Sequence, residues 1–100
     1  MRLAIVGGGI TGLATAWHAR RLAAQAGREL DVIVLEAGAR AGGKALTVRE
    51  GGWVIEAAPD SFLTSKPWAH DLAIALGLGD RLIAQRAGGR RAFVLHRGRL

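Results

Sequence analysis

Leu3-Ala4-Ile5-Val6-Gly7-Gly8-Gly9-Ile10-Thr11-Gly12-Leu13-Ala14-Thr15-Ala16 decides the fold of this chain. An apolar strand over residues 2–6 runs into Gly7-x-Gly9-x-x-Gly12, and a helical pattern follows. Each glycine has a separate physical task. Gly7 permits the tight turn from strand to helix. Gly9 carries no Cβ, so a pyrophosphate could approach the backbone. Gly12 lets the helix pack close to the strand. The free N–H groups at the helix start, at the positive end of its dipole, then face the phosphates.

A glycine-rich turn alone is weak evidence, and the surrounding sequence supplies the context that strengthens it. A second apolar strand, Asp31 to Leu35, ends in Glu36, which stands 24 residues after Gly12. That is close to the roughly 20 residues at which a ribose-binding acid is expected. A carboxylate there accepts hydrogen bonds from ribose hydroxyls and repels a 2′-phosphate. The strand–turn–helix–strand order predicts a Rossmann-like α/β unit with a parallel sheet.

The chain has 100 residues, is half hydrophobic, and carries a net charge of +6. Half apolar content argues against disorder. One hundred residues suit one small domain, but a doubly wound sheet usually needs more strands than these residues supply, so the sheet is expected to be incomplete. No apolar run has the length of a membrane span and no signal peptide precedes the first strand, so membrane association is not indicated. Cysteine is absent, which excludes disulfides and cysteine-ligated metals and fits an intracellular, cytoplasmic setting. The positive charge is scattered over Arg20, Arg28, Arg49, Arg81 and Arg97, with Arg86, Arg90 and Arg91 the one cluster. No RNA-binding aromatic motif accompanies it, so nucleic acid is not an expected partner.

In order, the helix is expected from Ile10 to Ala26, with Ile10, Leu13, Ala14, Trp17 and Ala24 toward the core and Thr11, Thr15, His18 and Gln25 outward, stopping at Gly27. His18 has no second ligand at helical spacing, and no metal site is expected. After Glu36 and Ala37 comes a loop in which Gly42 and Gly43 lie between Arg40 and Lys44. Paired glycines flanked by cations suit backbone that approaches a diphosphate. Ala45–Arg49 and Trp53–Glu56 read as a hairpin about Glu50-Gly51-Gly52. Ser65 or Lys66 before Pro67 marks a helix start, and that helix carries Trp68, Leu72 and Leu76 up to Gly77. A short turn near Asp80, a strand from Ala92 to Leu95 and a hairpin turn at His96–Arg99 complete the reading.

Taken together, Gly7–Leu13, Leu35-Glu36-Ala37, Gly42-Gly43-Lys44, Trp53–Glu56 and above all Pro59-Asp60-Ser61-Phe62-Leu63 with Lys66-Pro67 resemble the start of the protoporphyrinogen oxidases. The likeness extends most to the soluble bacterial enzymes that oxidise coproporphyrinogen III. These are FAD enzymes of the amine-oxidase superfamily. The resemblance implies that Gly7, Gly8, Gly9, Ile10, Thr11 and Gly12 hold the FAD diphosphate, and that Glu36 with Ala37 binds the adenosine ribose. It implies that Gly43 and Lys44 sit near the diphosphate and flavin, and that Ala58, Pro59, Asp60 and Ser61 pass by the isoalloxazine. The family usually has glycine where this chain has Ala58, and a methyl there would crowd the flavin.

The implied activity is oxidation of a porphyrinogen to the porphyrin in heme biosynthesis, with oxygen as acceptor. The resemblance also implies that residues 1–100 are the N-terminal part of an FAD-binding domain. A substrate domain and the segment completing the FAD site are expected to follow Leu100, and the 100 residues alone are expected to be inactive. No catalytic acid, base or nucleophile is identified, because in such chemistry the flavin carries the hydride. The residues leave the substrate, coproporphyrinogen III or protoporphyrinogen IX, and the oligomeric state open. Two alternatives stand beside this reading: another flavoprotein of the superfamily, such as an amine oxidase or a carotenoid desaturase, and a non-catalytic fragment.

Overall fold

A computed structural model describes residues 1–85 and 94–99. The chain divides into two units, Met1–Ser61 and Phe62–Leu100. In the first, β1 (Arg2–Val6), α1 (Ile10–Gln25) and β2 (Asp31–Leu35) form a βαβ unit, followed by β3 (Thr47–Glu50) and β4 (Trp53–Glu56). The chain is thus mixed α/β with a parallel pair, as the sequence predicts. β1 and β2 run parallel in the register Arg2↔Asp31 to Val6↔Leu35, which brings Gly7 and Glu36 out at the same end of the pair.

Burial alternates along both strands, because successive side chains point to opposite faces. Leu3, Ile5, Val32 and Val34 are half-buried on the face that α1 covers, while Ala4, Val6, Ile33 and Leu35 lie on the open face. Val6 is 86% exposed. Among the described residues no side chain is fully buried.

Helix α1 ends as its composition implies. Gly27 has φ +64, its N–H bonds Ala24 O at 3.1 Å, and the Arg28 N–H bonds Ala23 O at 2.8 Å. This pair of bonds is a Schellman closure, which glycine's left-handed freedom permits. The expected inner face is only partly correct. Ala14 and Trp17 are half-buried, but Ile10, Leu13 and Ala24 are exposed. The physical reason is that two strands are too narrow to cover the whole apolar stripe of a 16-residue helix. Trp17, expected in the core, instead lies under the Arg21 guanidinium, 5.2 Å from its ring centre, with His18 edge-on.

The hairpin closes over Gly51 and Gly52, both at positive φ, in the two-residue turn that suits twisted strands. Glu50 pairs with Trp53 inside the ladder, and β3 starts at Thr47 rather than Ala45. Among the described residues β3 and β4 pack on each other and not on β1, α1 or β2.

In the second unit, α2 (Pro67–Ala75) starts with Pro67 in its first turn and Lys66 as cap, where proline's missing N–H costs nothing. It ends at Gly77, φ +72. A 3₁₀ turn, Gly79–Arg81, packs against it. His96 and Arg99 pair in a tight turn, as expected. Of the expected Ala92–Leu95 strand, Ala92 and Phe93 lie outside the described residues, as does the Arg86, Arg90 and Arg91 cluster, while Val94 and Leu95 are described and are not in a strand. No helix is long and apolar enough to cross a membrane, and no three potential metal ligands cluster, among the described residues.

Candidate nucleotide-binding site

The site is built at the end of the parallel pair where Val6 and Leu35 release the chain. Gly7 turns away with φ +101, and its N–H closes the ladder on Leu35 O at 2.7 Å. Gly9 is the N-cap of α1 in extended conformation, with no side-chain cap and no acid in the first turn. The first intrahelical bond is Leu13 N–H to Gly9 O at 3.0 Å. The N–H groups of Ile10, Thr11 and Gly12 therefore have no intrahelical acceptor and present the positive end of the helix dipole. A Cβ on Gly12 would collide with the Gly7 carbonyl oxygen and meet Ile5 Cγ2 at 3.4 Å. Gly12 is thus needed first for the approach of helix to turn, and only second for helix to strand. A Cβ on Gly9 would meet nothing nearer than Gly43 Cα at 3.9 Å, so the space before Gly9 is open on the protein side.

Glu36 stands across from this turn. Its Oε2 accepts the Gly8 N–H at 2.7 Å and its Oε1 accepts the Gly38 N–H at 2.7 Å. A Cβ on Gly8 would sit 2.9 Å from Oε2, so Gly8, the middle glycine to which the fingerprint assigns no task, makes room for this carboxylate. The Gly38 and Gly8 N–H groups, with smaller help from the Ala37 N–H and the Arg40 charge, hold the Glu36 carboxyl below its ordinary range despite some desolvation. It is a carboxylate at neutral pH, and each oxygen retains acceptor capacity for a further donor such as a ribose hydroxyl.

The third component is the loop after β2. The Gly42 N–H donates to Gly8 O at 2.8 Å, and Gly9 and Gly42 form a parallel bridge. Gly43, φ +58, comes so close that a Cβ on it would lie 3.0 Å from Gly9 Cα. The paired glycines thus meet the fingerprint turn backbone to backbone, and Lys44 follows directly.

Gly7, Gly8, Gly9, Ile10, Thr11, Gly12, Glu36, Ala37, Gly43 and Lys44 are therefore gathered at one end of the βαβ unit. Ala58, Pro59, Asp60 and Ser61 lie further along the chain. They follow β4, with Ala58 half-buried and the other three exposed, and among the described residues no hydrogen bond ties them to the glycine turn. Two contacts were not legible beforehand: the Glu36–Gly8 bond and the hydrogen bonds of Arg40 to its own loop. A loop arginine reads as a solvated cation, and nothing in its residue type signals three carbonyl acceptors.

The family profile for flavin containing amine oxidoreductases matches residues 10–100. This chain belongs to that family. Membership implies a flavin cofactor. The chain is 45% identical over 98 residues to coproporphyrinogen III oxidase of Propionibacterium freudenreichii, covering 98% of this chain and 17% of that protein. It is 40% identical over 93 residues to coproporphyrinogen III oxidase of Bacillus subtilis, covering 93% of this chain and 20% of that one. It is 41% identical over 98 residues to the chloroplastic protoporphyrinogen oxidase of Oryza sativa, covering 96% and 17%. A crystal structure from Exiguobacterium, provisionally named protoporphyrinogen oxidase, superposes with a TM-score of 0.70 at 51% identity, covering 79% of this chain and 17% of that one. The chain spans no more than about a fifth of the length of these curated relatives.

Proposed function

We propose that this chain forms the nucleotide end of the FAD site of a porphyrinogen oxidase of heme biosynthesis. The observation that carries the reading is the meeting of three groups at one end of the parallel pair. They are the uncapped N-terminus of α1, the Glu36 carboxylate on Gly8, and the Gly42-Gly43-Lys44 loop against Gly9. The unpaired N–H groups and Lys44 suit a diphosphate, the open space before Gly9 leaves it access, and Glu36 suits the paired hydroxyls of an adenosine ribose.

In this reading Ile10, Thr11 and Gly12 donate backbone N–H groups to phosphate, and Glu36 accepts from the ribose while repelling a 2′-phosphate. FAD is thereby favoured over nucleotides that bear one. Lys44 adds a cation at the diphosphate, and Ala58–Ser61 border the flavin. A bound flavin supplies the hydride acceptor, with oxygen as the final oxidant. The residues here bind and orient it rather than move protons. The parallel pair would be the start of an incomplete doubly wound sheet, and the setting cytoplasmic. The likeness to coproporphyrinogen III oxidases and a protoporphyrinogen oxidase supports coproporphyrinogen III or protoporphyrinogen IX as the substrate.

The test is porphyrin fluorescence from each porphyrinogen, measured with the intact protein and oxygen consumption in parallel. The expected result is porphyrin formation with oxygen uptake. A flavin-loaded protein that oxidises an amine or a carotenoid and neither porphyrinogen would overturn the reading in favour of a sister flavoprotein.

A further inference from the structure

Arg40 is exposed, yet its guanidinium makes three hydrogen bonds to its own loop. Nη1 donates to Ala45 O at 3.0 Å and to Ala41 O at 3.2 Å, and Nη2 donates to Gly43 O at 2.7 Å. A planar fork with five donors can gather three carbonyls at once, whereas a lysine ammonium is a point charge that cannot match the same geometry. The three acceptors span residues 41–45. This is the segment whose Gly42 N–H reaches Gly8 O and whose Gly43 backbone abuts Gly9. Gly42 and Gly43 sit at φ +107 and +58, a conformation that two adjacent glycines adopt freely but do not hold without an anchor.

We propose that Arg40 is a positioning residue: it ties Ala41, Gly43 and Ala45 to one cation, and so presets the Gly42–Gly43 turn against Gly8–Gly9 and aims Lys44 at the anion site. Arg40 does not itself serve the phosphate. Its two Nη atoms are turned onto the carbonyl oxygens of Ala41, Gly43 and Ala45. Among the described residues Lys44 takes part in no ion pair, which leaves its ammonium for the ligand. The loop anchor stands on the geometry alone. Its bearing on Lys44 rests on the FAD reading above.

The experiment compares Arg40→Ala, Arg40→Lys, Lys44→Ala and the Arg40→Ala/Lys44→Ala double variant in the intact protein. Hydrogen exchange without nucleotide reads the loop. Arg40→Ala is expected to speed exchange over residues 41–45 at least about tenfold and leave residues 31–35 unchanged, with Arg40→Lys restoring only part of the protection. Titration with ADP reads the positioning. Each single alanine is expected to weaken ADP about tenfold, and the double variant to be no more than about twofold worse than Arg40→Ala. Unchanged exchange over 41–45 overturns the anchor. Additive losses, near a hundredfold in the double variant, overturn the positioning of Lys44. A protein that binds no ADP but shows the localised exchange change keeps the anchor and defeats the FAD reading instead.

Discussion

Replacing Gly9 and Gly12 separately with alanine splits folding from ligand binding. At Gly12 the new methyl would drive into the Gly7 carbonyl oxygen, a backbone atom that cannot swing aside, and would press on Ile5 Cγ2. Forced overpacking of this kind costs about 1–3 kcal/mol. For a domain of this size that lowers the unfolding midpoint by about 4 °C or more. At Gly9 the methyl has 3.9 Å to its nearest neighbour, and φ −73 with ψ 179 is open to any residue. The loss of unfolded-state freedom returns about 0.4–1 kcal/mol, which offsets the poorer cap that alanine makes. Gly9→Ala should therefore fold within about 0.5 kcal/mol of the parent, yet lose at least about 1.4 kcal/mol, or tenfold, in FAD affinity. Denaturant unfolding followed by circular dichroism, without nucleotide, gives the first quantity. Quenching of flavin fluorescence on titration gives the second. A Gly9→Ala protein that binds FAD as the parent does would refute the placement of the diphosphate. A Gly12→Ala protein of parental stability would refute the tight approach of α1 to the turn.

Glu36 has a carboxyl held below its ordinary value near 4.5, so its contribution is fully present above that pH and fades as the pH falls through the lower folded value. Glu36→Gln should flatten this acid limb, seen as loss of the fall in Gly8 and Gly38 amide protection, relative to intrinsic exchange, as the pH drops. Arg2 and Asp31 pair at 2.7 Å but are 74% and 55% exposed, so Arg2→Ala should cost under about 1 kcal/mol in chemical denaturation. Gly27→Ala must place a methyl at φ +64 and should cost about 1 kcal/mol, with faster exchange confined to the last turn of α1.

The βαβ unit was legible because its signals agree. Residues 2–6 and 31–35 are apolar runs of strand length, Gly7-x-Gly9-x-x-Gly12 sits between strand and helix, and Gly27 supplies the stop. The same local logic found Pro67 at the start of α2 and Gly51-Gly52 in the hairpin. Burial was less legible, because periodicity shows which residues could face a core and not how much surface is there to cover them. Ile10 and Ala24 share the stripe with Ala14, yet stay exposed. The site divides in the same way. Glu36 was singled out by spacing, and Gly43 and Lys44 by paired glycines between cations, whereas the Glu36–Gly8 bond and the hydrogen bonds of Arg40 depend on how loops meet in space. Ala58–Ser61 were chosen by resemblance, and no hydrogen bond among the described residues links them to the turn.

The most direct measurement is the identity and retention of flavin on the intact protein after exhaustive dialysis, with parent and Glu36→Ala side by side. FAD should stay with the parent at near-equal molar ratio and be largely lost from Glu36→Ala, while FMN and NADPH fail to displace it. A parent that retains no FAD, or a Glu36→Ala protein that retains it as fully as the parent, would contradict a nucleotide site built from Gly7–Gly12 and Glu36.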